Sequence, residues 1–143
     1  MDALIKIWVI VYRIDKAGTK LLLLKPNPEP NLTYDYYVIT GGVEDGESIE
    51  QAAKRETYEE IGIEPLSINN LKFLMSYRNK DTGDEVAEHC FAAQVDNSNI
   101  VLNQEHIDFR WFSIREFEEK IWWTDSRDIL NEILKKFSKI LEK

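Results

Sequence analysis

Apolar residues alternate through the first strand-like segment, Leu4 to Ile14, which is rich in β-branched and aromatic side chains. Lys16-Ala17-Gly18-Thr19 turns it into a second strand, Lys20 to Leu24. Pro26, Pro28 and Pro30 then predict a loop. A short strand, Tyr36 to Thr40, runs into a glycine-rich turn. A helix should begin near Ser48, because Ser48 followed by Gln51 is a capping-box pattern. Gly62 should end it in a left-handed conformation. Leu71 to Arg78 and Val86 to Val95 predict a hairpin around Asp81-Thr82-Gly83, and Asp108 to Phe112 a further strand. Ser113 to Lys120 reads as a short helix and Ser126 to Leu141 as a longer one. The latter gathers Ile129, Leu130, Ile133, Leu134, Phe137, Ile140 and Leu141 on one side. A mixed sheet between helices follows, an α/β class fold.

One helix breaks the usual separation of apolar and charged faces. Ile49, Ala52, Ala53, Glu56 and Glu60 share a face of the helix after Ser48, with Glu59 at its edge. A solvated acidic face would lie opposite the apolar stripe, whereas Glu56 and Glu60 continue it. Side chains four apart have Cβ atoms about 6 Å apart. Two carboxylates at that range repel by about 3 kcal/mol at an effective dielectric near 20. Arg55 offsets part of this, and a divalent cation would offset more. Oxygen ligands with no Cys or His nearby favour Mg²⁺ or Mn²⁺ over Zn²⁺.

The full stretch Gly41 to Ile63, GGVEDGESIEQAAKRETYEEIGI, resembles the Nudix box of the Nudix hydrolases. Gly41, Glu47, Arg55, Glu56, Glu59, Glu60, Gly62 and Ile63 fill the motif in register. Thr57 departs from the apolar residue expected there, but its methyl can pack. The resemblance implies an α/β/α sandwich with a central mixed sheet. It implies Glu56 and Glu60 as main metal ligands, with Glu59 as a further ligand or base. The Gly41 carbonyl would be another ligand, Arg55 would orient a box carboxylate, and Glu47 would hold the loop through an ion pair with the arginine.

Outside the box, Glu105 lies in the loop Asn103-Gln104-Glu105-His106, where several members of the family carry a metal ligand or base. His106 is a weaker candidate, since most loop histidines have no catalytic role. Lys25, Arg78 and Trp123 are candidate substrate contacts. Tyr36, Tyr37 and Trp122 could also stack on a ring, although core packing explains each of them better. His89 and Cys90 point to opposite faces of a strand and cannot form a catalytic pair.

Length and charge narrow the reading. The 143 residues suffice for one domain, 1–143, with a proper core. The net charge of −8 disfavours nucleic-acid polymers and anionic membranes as partners. It conflicts with a small phosphorylated substrate only until bound metal reverses the local sign. No apolar run is long enough to span a bilayer, and the N-terminal segment lacks the basic start of a signal peptide. A lone cysteine, Cys90, permits no intrachain disulfide and suits a cytoplasmic setting.

The resemblance therefore implies a Mg²⁺-dependent pyrophosphohydrolase, with Mn²⁺ able to substitute. Its expected substrate is a (deoxy)nucleoside triphosphate or similar triphosphate, of the dATP or dihydroneopterin triphosphate type. A dinucleoside polyphosphate is the alternative. Two readings of another kind are a non-catalytic nucleotide-sensing module and an isopentenyl-diphosphate isomerase. The intact set of box acids counts against the first. The second needs a cysteine motif that VAEHCFA does not provide. Oligomeric state is left open.

Overall fold

The computed structural model describes residues 3–28, 35–96 and 99–142. The elements run β1 (Leu4–Asp15), β2 (Gly18–Pro26), β3 (Ile39–Gly42), α1 (Ile49–Ile61), β4 (Ser67–Arg78), β5 (Glu85–Gln94), β6 (His106–Phe112), α2 (Ile114–Lys120) and α3 (Arg127–Leu141). The sheet is mixed, with order β4-β5-β1-β2-β6 and β3 paired to β1. Strands β1 and β5 are parallel, and the other pairs are antiparallel. β1 divides one of its edges: Lys6 to Val9 pair with β3, and Tyr12 to Asp15 pair with β2.

Period-two alternation sends side chains to two cores. Ile7, Val9 and Val11 face the core that includes Ala52, Ala53 and Ile61 of α1. Trp8, Ile10 and Tyr12 face the core built on Phe117 of α2 and Leu130, Ile133, Leu134 and Phe137 of α3. β2 divides its leucines likewise, Leu21 and Leu23 to one core and Leu22 and Leu24 to the other. Both sheet faces are covered, giving the α/β/α sandwich.

Several boundaries move from the sequence expectation. The hairpin turn shortens to Lys16-Ala17, because Gly18 takes φ 114° and already pairs with Asp15. β2 extends through Pro26, which sits at a bulge where the ladder to β6 shifts register. Pro30 lies outside the described residues. β3 begins at Ile39 rather than Tyr36. Tyr37 instead makes an isolated bridge to Leu24, and the strand runs on through Gly41 and Gly42. β4 starts four residues early, at Ser67. Pairing with β5 overrides the loop tendency of Asn69-Asn70, and the mismatch is absorbed in a bulge between Asn70 and Leu74. Within that bulge Lys72 adopts φ 59°, and its N–H donates to Asn70 Oδ1 at 2.8 Å.

Candidate active site

Helix α1 is fixed at both ends by the residues its sequence supplies. Ser48 Oγ accepts from the Gln51 N–H at 3.0 Å, and Gln51 Oε1 accepts from the Ser48 N–H at 2.8 Å. Gly62 closes the helix at φ 70°. Thr57 is fully buried and donates its hydroxyl to the Ala53 carbonyl at 2.7 Å, so its polar atom is satisfied where an apolar residue was expected.

The arginine in this helix gathers the loop in front of it. Arg55 Nε donates to Glu47 Oε2 at 2.8 Å, and Nη2 donates to Glu47 Oε1 at 3.0 Å and to the Gly42 carbonyl at 2.9 Å. Its Nη1 reaches Glu56 Oε1 at 2.8 Å and Glu59 Oε2 at 3.2 Å. These bonds hold the guanidinium charged and keep the Glu47 carboxyl below the usual carboxylate range. Glu56 rises, because burial outweighs the opposing pull of Arg55. Glu56 also packs against bare backbone: a Cβ on Gly41 would stand 2.3 Å from Glu56 Cδ.

Glu60 is the most confined acid of the helix. It is 6% exposed, and its Oε2 is buried without a hydrogen-bond partner among the described residues. Burial, followed by the charges of Glu56 and Glu105, pushes its pKa up to about 9. Ligand atoms of Glu60, Glu105 and His106 lie within 4.8 Å of one another. The Glu105 loop is held in place through its backbone, while its carboxyl meets Glu60. The Glu105 N–H donates to Asn103 Oδ1 at 3.0 Å, its carbonyl accepts from the Asn27 N–H at 2.8 Å, and Asn103 Nδ2 donates to the Glu59 carbonyl at 3.3 Å. His106 Nδ1 is buried and unpartnered among the described residues, and burial lowers the imidazole pKa against the opposing charge of Glu105. An unpartnered carboxylate oxygen beside a second carboxyl and an imidazole fits a divalent cation.

Glu60, Glu105 and His106 line a cleft of about 1160 Å³. Its walls include Tyr37, Phe73, Tyr77, Trp122 and Trp123, and its charged lining includes Lys6, Lys80 and Glu88. The NUDIX domain family model matches residues 5–133. The chain belongs to the Nudix family. It is a hydrolase acting on diphosphate bonds. Among solved structures, it is similar to an Ap4A hydrolase of C. elegans at 24% identity. The alignment covers 97% of this chain and 98% of that one, with a TM-score of 0.75. It is likewise similar to the MutT protein of Methanosarcina mazei Go1 (21% identity, 93% and 94% covered, TM-score 0.73). A third is the E. coli dihydroneopterin triphosphate pyrophosphohydrolase (22% identity, 90% and 91% covered, TM-score 0.69). At these identities the likeness is one of fold. A search of the curated proteins gave no match.

The Nudix box residues read from the sequence do not all converge. Glu60 joins Glu105, while Glu59 is about half exposed and turned to Arg55. Trp123 lines the cleft, packs edge-on to Trp8 at 6.3 Å and donates its Nε1 to the Ser126 carbonyl at 2.9 Å. Lys25 and Arg78 are not among the cleft-lining residues. Lys25 Nζ sits 5.8 Å from the centre of the Tyr36 ring. Arg78 is bound within the β4–β5 hairpin by Glu85 and the Gly83 carbonyl. Tyr36 donates its hydroxyl to Asp108 at 2.9 Å. Cys90 is fully buried, and burial raises its thiol pKa. His106 corrects the premise of a site without histidine. Its only sequence signal was adjacency to Glu105 at a strand start.

Proposed function

We propose that this Nudix hydrolase is a divalent-metal-dependent pyrophosphohydrolase. Its substrate would be a (deoxy)nucleoside triphosphate or similar triphosphate, cleaved to monophosphate and diphosphate. The observation that carries the reading is the buried Glu60 carboxyl, with Oε2 unpartnered among the described residues, close to Glu105 and His106 in the lining of an aromatic-walled cleft. Glu56, Glu60, Glu105 and the Gly41 carbonyl would hold Mg²⁺ or Mn²⁺, and His106 makes Mn²⁺ the better suited of the two. A divalent ion there supplies charge neutralisation and acidifies bound water.

The remaining work falls to side chains. Glu105, on a loop rather than on the helix, takes the proton of the attacking water, with Glu59 as the other candidate base. Arg55 fixes the angle of Glu56 and ties the Gly42 and Glu47 loop to the helix. Trp123 stacks on the substrate ring. Lys6 and Lys80 are nearer to hand for phosphate or ring contacts than Lys25 and Arg78, since both line the cleft.

A dinucleoside polyphosphate is favoured by one observation. At about 1160 Å³ the cleft is larger than the roughly 300–1,000 Å³ typical of small-ligand pockets. Turnover of a panel of nucleoside triphosphates, dihydroneopterin triphosphate and dinucleoside polyphosphates, with products identified in heavy-oxygen water, tests the reading. Release of monophosphate and diphosphate dependent on Mg²⁺ or Mn²⁺ is expected. Full turnover in EDTA, or none of any substrate with metal present, would overturn it.

A further inference from the structure

A second buried acid lines the same cleft, across β1 from the box: Lys6 stands between it and Gly42. Glu88 lies on β5 and is 5% exposed. Among the described residues no side chain donates a hydrogen bond to its carboxylate. Its oxygens open on the cleft, so a partner from outside the chain can donate to them.

Its setting defines that partner. Glu88 registers opposite Lys6 on the parallel neighbour β1, and paired residues project to the same face. That is the face of Trp8 and Cys90, and Lys6 and Glu88 both border the cleft there. Burial lifts the Glu88 carboxyl to about 7, and the Lys6 charge acts the other way, favouring the ionised form. The carboxylate raises Tyr37 and Tyr77 in turn, behind the larger effect of their own burial. Tyr37, Tyr77 and Trp123 give flat surfaces around it.

An ionised carboxylate only accepts hydrogen bonds, and an ammonium only donates them. Together Lys6 and Glu88 present one donor beside two acceptors. Adenine and cytosine place a ring acceptor next to their amine, which would face the carboxylate with a lone pair. Uracil and thymine set one N–H between two carbonyls. A ring with a carbonyl, a ring N–H and an amine in succession complements the pair along its whole edge. Guanine has that edge, and so does a pterin.

We propose that Glu88, with Lys6, is the specificity determinant of this cleft, selecting a triphosphate whose ring carries the carbonyl, N–H and amine edge of guanine or a pterin. The assignment rests on the cleft being the substrate site of the proposed hydrolase. Glu88 accepts the ring N–H and the amine, Lys6 donates to the carbonyl, and the aromatic walls hold the ring plane.

The test measures binding separately from turnover. Tryptophan fluorescence of the full chain in EDTA is titrated with GMP and with AMP. Turnover of GTP and ATP is measured with Mn²⁺. The wild type should bind GMP at least ~10-fold more tightly than AMP, because unpaired buried polar groups penalise the wrong edge. Glu88→Gln keeps the shape but turns an acceptor into a donor. It should weaken GMP at least ~10-fold and leave AMP unchanged or tighter, because the amide can donate to the ring acceptor beside the adenine amine, with an unchanged or raised melting temperature. Lys6→Met should weaken GMP less. Selective GMP binding with no turnover of any triphosphate would leave the Glu88 assignment standing and remove the hydrolase reading. Equal GMP and AMP affinity in the wild type, absence of binding to both, or a Glu88→Gln variant with wild-type selectivity would overturn the assignment.

Discussion

Arg55 grips Glu47, eight residues earlier, with two parallel hydrogen bonds of 2.8 and 3.0 Å, and so ties the loop before α1 to the middle of the helix. A planar guanidinium makes this fork while its third nitrogen reaches Glu56 and Glu59.

Arg55→Lys should therefore fail despite keeping the charge. An ammonium cannot span Glu47, the Gly42 carbonyl and Glu56 together. Stability should fall by about 1–2 kcal/mol in urea denaturation, and kcat by at least ~10-fold as Glu56 loses its orientation. A lysine variant with wild-type kcat would show that the fork is unnecessary.

Gly41 and Gly42 make a contrasting pair. A Cβ at Gly41 would collide with Glu56, whereas nothing lies within 4 Å of one at Gly42. Gly41→Ala should displace Glu56, weaken Mn²⁺ binding by at least ~10-fold and lower kcat. Gly42→Ala should stay within about ±0.5 kcal/mol in stability and near wild type in rate. Metal titration by calorimetry on both variants decides, and equal behaviour would show that Glu56 does not need its position against Gly41.

Glu60 has a pKa raised from 4.5 to about 9 in the metal-free fold. Below 4.5 the folded and unfolded states both hold the proton. As pH rises from 4.5 to 9 the unfolded chain releases it first, so this acid makes the fold progressively less stable. In EDTA, Glu60→Gln should exceed wild type in stability by on the order of 2 kcal/mol at pH 8, and match it near pH 4. Mn²⁺ should reverse the order, because the wild type binds the ion more tightly and gains more from it. Denaturation of both proteins at both pH values, with and without metal, gives the four required differences.

These acids were legible in different degrees. The box could be read because its partners lie on one helix, where spacing alone puts Glu56 and Glu60 on the apolar face. Ser48, Gln51 and Gly62 announced both ends of that helix. Glu105 could be flagged by its loop and by resemblance, yet its meeting with Glu60 depends on β6 pairing with β2 beyond the Lys25–Pro26 bulge. Glu88 and Lys6 were invisible for a like reason. Strand register joins them across about eighty residues, and each alone resembles a surface charge. Arg78 failed to reach the cleft because Glu85 and the Gly83 carbonyl hold it within the hairpin.

Glu105 and His106 are neighbours in sequence and both border Glu60, but their chemistry should separate. If Glu105 is the base, Glu105→Gln should lower kcat by at least ~10²-fold while KM barely moves. The tightest metal should remain bound, held by Glu56 and Glu60. The acidic limb of the wild-type pH–rate profile should also shift or vanish in that variant. His106→Asn removes a neutral imidazole whose Nδ1 has no partner within the described residues. It should leave the acidic limb in place and instead alter metal preference, lowering activity with Mn²⁺ more than with Mg²⁺. Steady-state kinetics of both variants across pH, with each metal in turn, make the comparison. Wild-type kcat for Glu105→Gln would move the base to Glu59. An unchanged Mn²⁺ to Mg²⁺ activity ratio for His106→Asn would leave the ion to carboxylates alone.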